Sequence, residues 1–124
     1  MTRDFTIGQD LKVLESDPRK EKTMTYEEVK EMLKGRNSKK IGNNTYLVDL
    51  ENRIVVRLHD TNVVTFYEDG KVKLNSGGWQ TVTTKDRMNK YLPTPWKVFQ
   101  EKFEWYLWNW KTKEKREYKD NMFV

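Results

Sequence analysis

The chain has 124 residues, the size of one domain, so a two-domain architecture is not expected. Charged residues make up 35% of it, as many as the hydrophobic ones, and no run approaches the roughly 18 apolar residues of a membrane-spanning helix, so no membrane partner is expected. With no Cys and a single His, the sequence excludes disulfides, thiolate metal sites and a Cys nucleophile, whereas the net charge of +5 permits an acidic partner without selecting one.

Residues 1–24 are predicted to form an N-terminal arm that precedes a single domain over residues 25–124. The second half of this arm is a charged run over residues 15–22, which Pro18 interrupts. The first residues have no apolar core behind a basic start, so no secretory signal is expected and the sequence favours an intracellular protein.

A short first helix is predicted directly after the arm. Thr25 followed by Glu28 three residues later forms a capping box, and Gly35 suits the end of the helix. The apolar residues of this segment recur at spacings of three and four, which places one face of the helix on a core; they are Tyr26, Val29, Met32 and Leu33.

Four runs with a period of two follow and predict an antiparallel meander. The basic residues Lys39 and Lys40 lie before the first run, and Asp69-Gly70 is a strong hairpin signal between the last two. The runs cover residues 45–49, 54–59, 62–67 and 71–74. A second helix, with Thr83 or Thr84 as its cap, is predicted to extend to Tyr91.

The rest of the chain is rich in aromatic residues and predicts two or three more strands, with a charged turn at residues 111–115. Alternation assigns seven residues of this segment to two faces, Phe103, Trp105, Leu107 and Asn109 on one and Tyr106, Trp108 and Trp110 on the other. Because both faces carry aromatic rings, one of them is either sandwiched or exposed for binding. This strand would favour a homodimer if it lay at a sheet edge.

Together these elements predict an α+β fold, a single small domain with a curved antiparallel β-sheet or partly open β-barrel and two short helices. The absence of Ala, the best helix former, and the presence of 11 Val and 12 Thr agree with a β-rich fold.

The candidate binding residues lie in the stretch from residue 71 to residue 90, which has five basic residues and one acidic residue. Alternation puts Lys71 and Lys73 on one face of their strand. Backbone electrostatics and base stacking are the two ingredients of single-strand binding, and the sequence assigns them to Lys71, Lys73, Trp79, Lys85 and Arg87. The alternative is a solvated lysine face beside a core tryptophan, and the sequence leaves both open.

Two further features have a catalytic or phosphate-binding interpretation beside a structural one. Gly77-Gly78 could approach a phosphate at a helix start, but it lacks the spacing of a P-loop and is more simply a tight corner. His59 is the only histidine, and a structural role suits it better than catalysis. We therefore expect no catalytic residue, no metal site and no cofactor, and hence no enzyme.

Several of these runs together resemble a small protein family of bacteriophages and prophages that is largely uncharacterised. The most specific part is the stretch Leu74-Asn75-Ser76-Gly77-Gly78-Trp79-Gln80-Thr81-Val82-Thr83-Thr84-Lys85-Asp86-Arg87-Met88-Asn89, and the resemblance covers about residues 25–93. It implies a phage accessory protein in the host cytoplasm, and it assigns no functional residues.

Two hypotheses for the function follow. The first is a phage-encoded, non-enzymatic accessory protein that binds nucleic acid through a basic β-surface containing aromatic residues. The alternative is an anti-defence or host-takeover protein that binds and inhibits a host protein such as a CRISPR-Cas nuclease, through its aromatic tail.

Overall fold

A computed structural model describes residues 25–124; the predicted N-terminal arm lies outside the described residues. Within residues 25–124 the chain forms two helices and nine strands, and the predicted α+β fold of one small domain is confirmed. The elements are α1 (Tyr26–Leu33), β1 (Ser38–Gly42), β2 (Thr45–Asp49), β3 (Arg53–Leu58), β4 (Thr61–Tyr67), β5 (Val72–Leu74), α2 (Val82–Tyr91), β6 (Trp96–Glu101), β7 (Glu104–Asn109), β8 (Glu114–Glu117) and β9 (Met122–Phe123).

The larger sheet has six antiparallel strands in the order β9-β5-β4-β3-β2-β1. Strands β2 to β5 are the predicted meander, which is confirmed. Strand β1 was not predicted: Lys39 and Lys40 lie within it, paired with Leu47 and Tyr46 of β2. In its sequence, Ser-Lys-Lys-Ile-Gly, apolar and polar residues do not alternate regularly. This is typical of an edge strand, which pairs on one side only and in which lysines discourage pairing with another chain.

The opposite edge of this sheet is closed by β9, a two-residue strand that the sequence pattern did not predict. The Asn121 N–H donates to the Leu74 carbonyl at 2.7 Å, and the Val124 N–H donates to the Val72 carbonyl at 2.9 Å. Strand β9 is too short to show a period in the sequence, so only the fold reveals that it covers the outer edge of β5.

The second sheet has three antiparallel strands in the order β6-β7-β8, as the aromatic tail predicted. The charged turn is shorter than predicted, because Lys115 already pairs with Trp108 in the sheet. The Asn109 side chain fixes this turn by accepting hydrogen bonds from the backbone N–H groups of Lys111 and Thr112, both at 3.0 Å. The two sheets stay open and do not close into a barrel.

Strand β7 lies in the middle of the three-stranded sheet. It is therefore not the edge strand that would favour a homodimer. Its two faces differ as the alternation predicted: Trp105, Leu107 and Asn109 are buried, and Tyr106 and Trp108 are half-buried on the other side.

Two residues of this assignment lie outside β7, Trp110 in the turn that follows the strand and Phe103 in the turn before it. Phe103 does not share the buried face, because it lies in the β6–β7 turn with a φ of 69° and is 93% exposed.

Threonine side chains cap both helices. The Thr25 hydroxyl accepts from the Glu28 N–H at 3.3 Å, as predicted. Helix α2 begins earlier than predicted: its cap is Thr81, whose hydroxyl accepts from the Thr84 N–H at 3.1 Å. Three threonines within four residues offer equivalent hydroxyls, and only Thr81 has the extended backbone that a cap requires.

One hydrophobic core lies between the larger sheet and a layer made of both helices and the smaller sheet. The larger sheet contributes Leu47, Val56, Phe66 and Leu74, among others. The other layer contributes, among others, Val29, Leu33, Met88, Trp105 and Leu107. The helices and the smaller sheet pack against this inner face, and we call the other side of the larger sheet the outer face. At its centre Val55 and Thr65 are only 0% and 5% exposed.

Candidate nucleic-acid interface

The outer face is defined by alternation along the strands of the larger sheet. Val72 and Leu74 are buried in the core, so Lys71 and Lys73 project from the opposite side, as the sequence predicted. In β3, Ile54 and Val56 belong to the core, which places Arg53, Val55 and Arg57 on the outer face.

At one end of the outer face, an exposed tyrosine lies between two cations on neighbouring strands. Tyr46 of β2 pairs with Lys40 of β1 on one side and with Arg57 of β3 on the other. Tyr46 is 41% exposed, so its ring is accessible on this face. The Arg57 guanidinium is held by Asn62 through an Nε–H hydrogen bond of 2.8 Å, so its position is fixed while it stays half-buried at the surface.

The other end of the outer face repeats this arrangement. Tyr67 of β4 pairs with Arg53 of β3, and its N–H donates to the carbonyl of Lys71 at 2.9 Å. Between the two ends, Lys73 of β5 pairs with Phe123 of β9, which is 46% exposed.

The rings and ammonium groups at the β5 edge form one connected cluster. The rings of Tyr67 and Phe123 lie 6.0 Å apart between centroids. Lys71 Nζ is 5.9 Å from the Phe123 ring and Lys73 Nζ is 5.8 Å from the Tyr67 ring, both within the range of a cation–π contact.

The outer face has a single sign of charge. Its basic side chains are Lys40, Arg53, Arg57, Lys71 and Lys73, and no acidic side chain projects from its strands within the described part of the chain. Asp69, in the β4–β5 turn, reaches Lys71 only at 4.0 Å. The face therefore offers an excess of positive charge together with three aromatic rings.

The structure does not bring the other predicted binding residues to this face. Lys85 and Arg87 lie on α2, in the layer across the core. Lys85 Nζ donates to Gln100 Oε1 at 3.4 Å and lies 5.8 Å from the Trp105 ring, so it joins α2 to the smaller sheet. Arg87 Nε donates to the Thr45 hydroxyl at 2.9 Å, which ties the helix to β2. Both cations therefore connect α2 to a neighbouring sheet.

Trp79 lies apart from both groups, in the loop between β5 and α2, and is 69% exposed. It is one wall of a cavity of about 510 Å³ at the end of the larger sheet. His59 and Asp60 in the β3–β4 turn form another wall, and the threonines at the start of α2 form a third. Of the two interpretations of this tryptophan, its exposure excludes the one that placed it in the core.

The Gly77-Gly78 corner has a structural reason for both glycines. Their φ angles are 64° and 86°, in the left-handed region, and a Cβ on Gly77 would lie 2.7 Å from Thr61 Oγ1. The Gly77 N–H donates to Asn75 Oδ1 at 2.9 Å, and the Gly78 N–H donates to Ser76 Oγ at 3.2 Å. These hydrogen bonds are those of a tight corner, which was the simpler interpretation of Gly77-Gly78 beside phosphate binding.

Asp120 anchors this corner to the end of the chain. Its Oδ1 accepts from the Ser76 N–H at 2.9 Å, from the Ser76 hydroxyl at 2.7 Å and from the Tyr118 hydroxyl at 2.8 Å. Burial raises the pKa of the Asp120 carboxyl, but these hydrogen bonds outweigh it and hold the pKa below its ordinary value. Burial and the bond to Asp120 raise the pKa of Tyr118, so both groups keep their ordinary charge states at neutral pH.

A second aromatic surface lies on the outer side of the smaller sheet. The Phe99 ring stacks on Tyr106 at 5.6 Å and meets Trp108 edge-on at 6.5 Å. Lys115 covers this cluster, with its Nζ 4.4 Å from the Tyr106 ring and 2.8 Å from Glu101 Oε1. The hydrogen bond to Glu101 raises the pKa of Lys115, so its charge stays paired there.

His59 has a left-handed backbone with a φ of 55°, and its N–H donates to the Asn44 carbonyl at 2.8 Å. Across the described residues, no three His, Asp or Glu side chains meet in a group that could hold a metal ion. Neither helix within residues 25–124 has the length and apolar composition that crossing a bilayer requires.

The chain is thus a small α+β protein in which one face of an antiparallel sheet carries basic and aromatic side chains. The model of the Kyanoviridae Gp96 protein family matches residues 21–124, so the chain belongs to this family of bacteriophage proteins. The resemblance to a small phage family is confirmed, and the match extends beyond the expected residues 25–93 through the aromatic tail. A search of curated proteins and a search of solved structures both found no match.

Proposed function

We propose that this phage protein binds single-stranded nucleic acid, without catalysis, on the outer face of its larger sheet, and that it does so in the host cytoplasm. The observation that carries the proposal is the repeated pairing of a ring with cations across neighbouring strands. Tyr46 lies between Lys40 and Arg57, and Tyr67 lies between Arg53 and Lys71.

Each of these pairings supplies both parts of single-strand recognition. The cations bind the phosphate backbone, and the rings offer faces on which bases stack, a contact worth about 1–3 kcal/mol per base. Bases in a duplex already stack on one another, so exposed rings on a sheet favour single strands. Because stacking and phosphate contacts are sequence-tolerant, this face binds without strong base preference.

The face differs from the predicted binding surface in its members. Lys71 and Lys73 belong to both surfaces. On the outer face their neighbours are Arg53, Tyr67 and Phe123, whereas the predicted surface combined them with Trp79 and the basic residues of α2.

The proposal is tested by the double variant Lys71→Glu/Lys73→Glu and a labelled single strand of about 12 nucleotides, within the usual site size. We expect at least about a tenfold loss of affinity, equivalent to about 1.4 kcal/mol, measured by fluorescence anisotropy. The matched control is Lys102→Glu/Lys113→Glu, which makes the same change of charge at exposed turns of the smaller sheet.

The control separates a local contact from the effect of net charge. Equal losses in the two double variants would mean that the chain attracts nucleic acid only through its overall charge. No binding by the wild type at low salt would contradict the proposal outright. Tyr67→Ala supplies an independent test, since losing one stacked base lowers affinity about tenfold while the charge stays constant.

A second candidate function, inhibition of a host protein such as a CRISPR-Cas nuclease, is favoured by the aromatic surface of the smaller sheet. Phe99, Tyr106 and Trp108 are clustered there, and burying aromatic rings supplies much of the energy of protein interfaces.

This candidate predicts that Trp108→Ala abolishes inhibition of such a nuclease and leaves oligonucleotide affinity unchanged. Trp110→Ala is the matched control, because Trp110 is an exposed tryptophan in the turn after β7 and outside the cluster. Inhibition that survives Trp108→Ala would contradict this assignment.

A further inference from the structure

The cavity beside Trp79 has the dimensions and lining of a site for one small aromatic group. Its volume of about 510 Å³ falls within the range of ligand pockets and is too small for several nucleotides. Its lining includes the apolar side chains of Leu58 and Val63, which are 6% and 1% exposed. A planar, largely apolar ring suits such a lining.

Most of the polar side chains around this cavity already have partners. The Ser76 hydroxyl donates to Asp120, and the hydroxyls of Thr81 and Thr84 lie 3.1 Å apart in a mutual hydrogen bond. By contrast, the side chains of His59 and Asp60 are exposed, and nothing within residues 25–124 forms a hydrogen bond or ion pair with them. Two polar groups are therefore available to a ligand.

Trp79 is held at the mouth of the cavity by an ordered loop. Its N–H donates to the Ser76 carbonyl at 3.0 Å, and the Thr81 N–H donates to the Trp79 carbonyl at 2.9 Å. The close approach of Gly77 to Thr61 fixes the same loop from the other side. Such an arrangement presents the Trp79 ring, which is 69% exposed, beside the cavity, where its face can stack on a planar ligand.

We propose that this cavity takes one unstacked base of the bound strand and prefers guanine. The inference rests on the proposed function and deepens it, since the sheet face alone does not distinguish bases. Arg57 and Asn62, paired at the end of the outer face, are connected by the β3–β4 turn that carries His59 and Asp60. A strand that lies on the outer face thus reaches the cavity over this end.

The preference follows from the chemistry of a carboxylate, which only accepts hydrogen bonds. Guanine presents two adjacent N–H donors on its Watson–Crick edge, and both oxygens of Asp60 can accept from them. Adenine and cytosine place an acceptor beside their single amino group, and thymine and uracil place their N–H between two carbonyls. Only guanine allows a bidentate contact without repulsion, while Trp79 stacks on its face.

The experiment compares two labelled oligonucleotides of equal length, one of thymidine alone and one with a central guanosine. The wild type is expected to bind the second at least about fivefold more tightly, the lower limit for a bidentate base contact. Asp60→Asn is expected to bring the ratio of the two affinities close to one. Asp86→Asn, the same change on the exposed side of α2, is expected to keep the preference.

The possible failures are distinguishable. If the wild type binds both oligonucleotides equally, or if Asp60→Asn keeps the preference, the cavity does not select guanine and the proposed function stands. If neither oligonucleotide binds at low salt, the proposed function fails and the inference fails with it. Trp79→Ala gives a second readout, because it must also reduce the preference for guanine if the base stacks on this ring.

Discussion

At the scale of single residues, Gly77 is the position with the least freedom. Its φ of 64° disfavours any other residue, and an added Cβ would lie 2.7 Å from Thr61 Oγ1. We expect Gly77→Ala to lower the free energy of unfolding by about 2–3 kcal/mol, measured by urea denaturation. Gly70→Ala is the control, since Gly70 has a φ of 97° but open space around it, and it should cost only about 1 kcal/mol. Equal losses would show that the contact with Thr61 is immaterial.

Asp120 makes the stability of the chain sensitive to acid. Its pKa is lowered in the folded state, so its stabilising contribution is present above the ordinary value of 3.8 and is lost as the pH falls through the folded value. We expect the free energy of unfolding to fall more steeply below about pH 4 in the wild type than in Asp120→Asn. Asp69→Asn is the control, because this exposed carboxylate accepts one local hydrogen bond from the Lys71 N–H. If the free energy of unfolding fell equally steeply with decreasing pH in the wild type and in Asp120→Asn, this role of Asp120 would be contradicted.

At the scale of elements, the residue that caps α2 differs between the structure and the sequence pattern, and substitutions can test which of them is right. Thr81 caps the helix, although Thr83 and Thr84 fit the pattern as well. We expect Thr81→Ala to destabilise the fold by about 1 kcal/mol, because the Thr84 N–H loses its acceptor. Thr83→Ala should change the free energy of unfolding by less than about 0.5 kcal/mol, since Thr83 is exposed. The opposite order would place the helix start at Thr83.

Alternation and turn chemistry account for the elements that could be predicted. Strands β2 and β5 alternate buried with more exposed residues, β3 and β4 are short β-branched runs with consecutive buried residues, and Asp69-Gly70 marks the last hairpin, so the meander follows from local sequence. Strands β1 and β9 escaped prediction because the first is an edge strand with two lysines and the second has two residues. Strand β9 is also defined by its pairing with β5, which lies far away in the sequence and which local patterns do not contain.

At the scale of the whole molecule, the same distinction explains the candidate site. Lys71 and Lys73 were correctly placed on one face because Lys71 directly precedes β5 and Lys73 lies within it, and alternation relates residues that are two apart in an extended segment. The sequence did not show that Lys85 and Arg87 lie across the core, because that depends on how α2 packs. Extending the alternation to β3 would have found Arg53 and Arg57, whereas Phe123 requires the pairing of β9 with β5.

The salt dependence of oligonucleotide binding tests the central claim most directly, because it counts the cations that contact phosphate. For single strands, the slope of log affinity against log salt is about −0.7 per contact, so the five basic residues of the outer face predict about −3.5. Lys71→Glu/Lys73→Glu should reduce the slope to about −2, and Lys102→Glu/Lys113→Glu should leave it unchanged. A slope that is the same in all three proteins, or no binding at low salt, would contradict the assignment of nucleic-acid binding to this face.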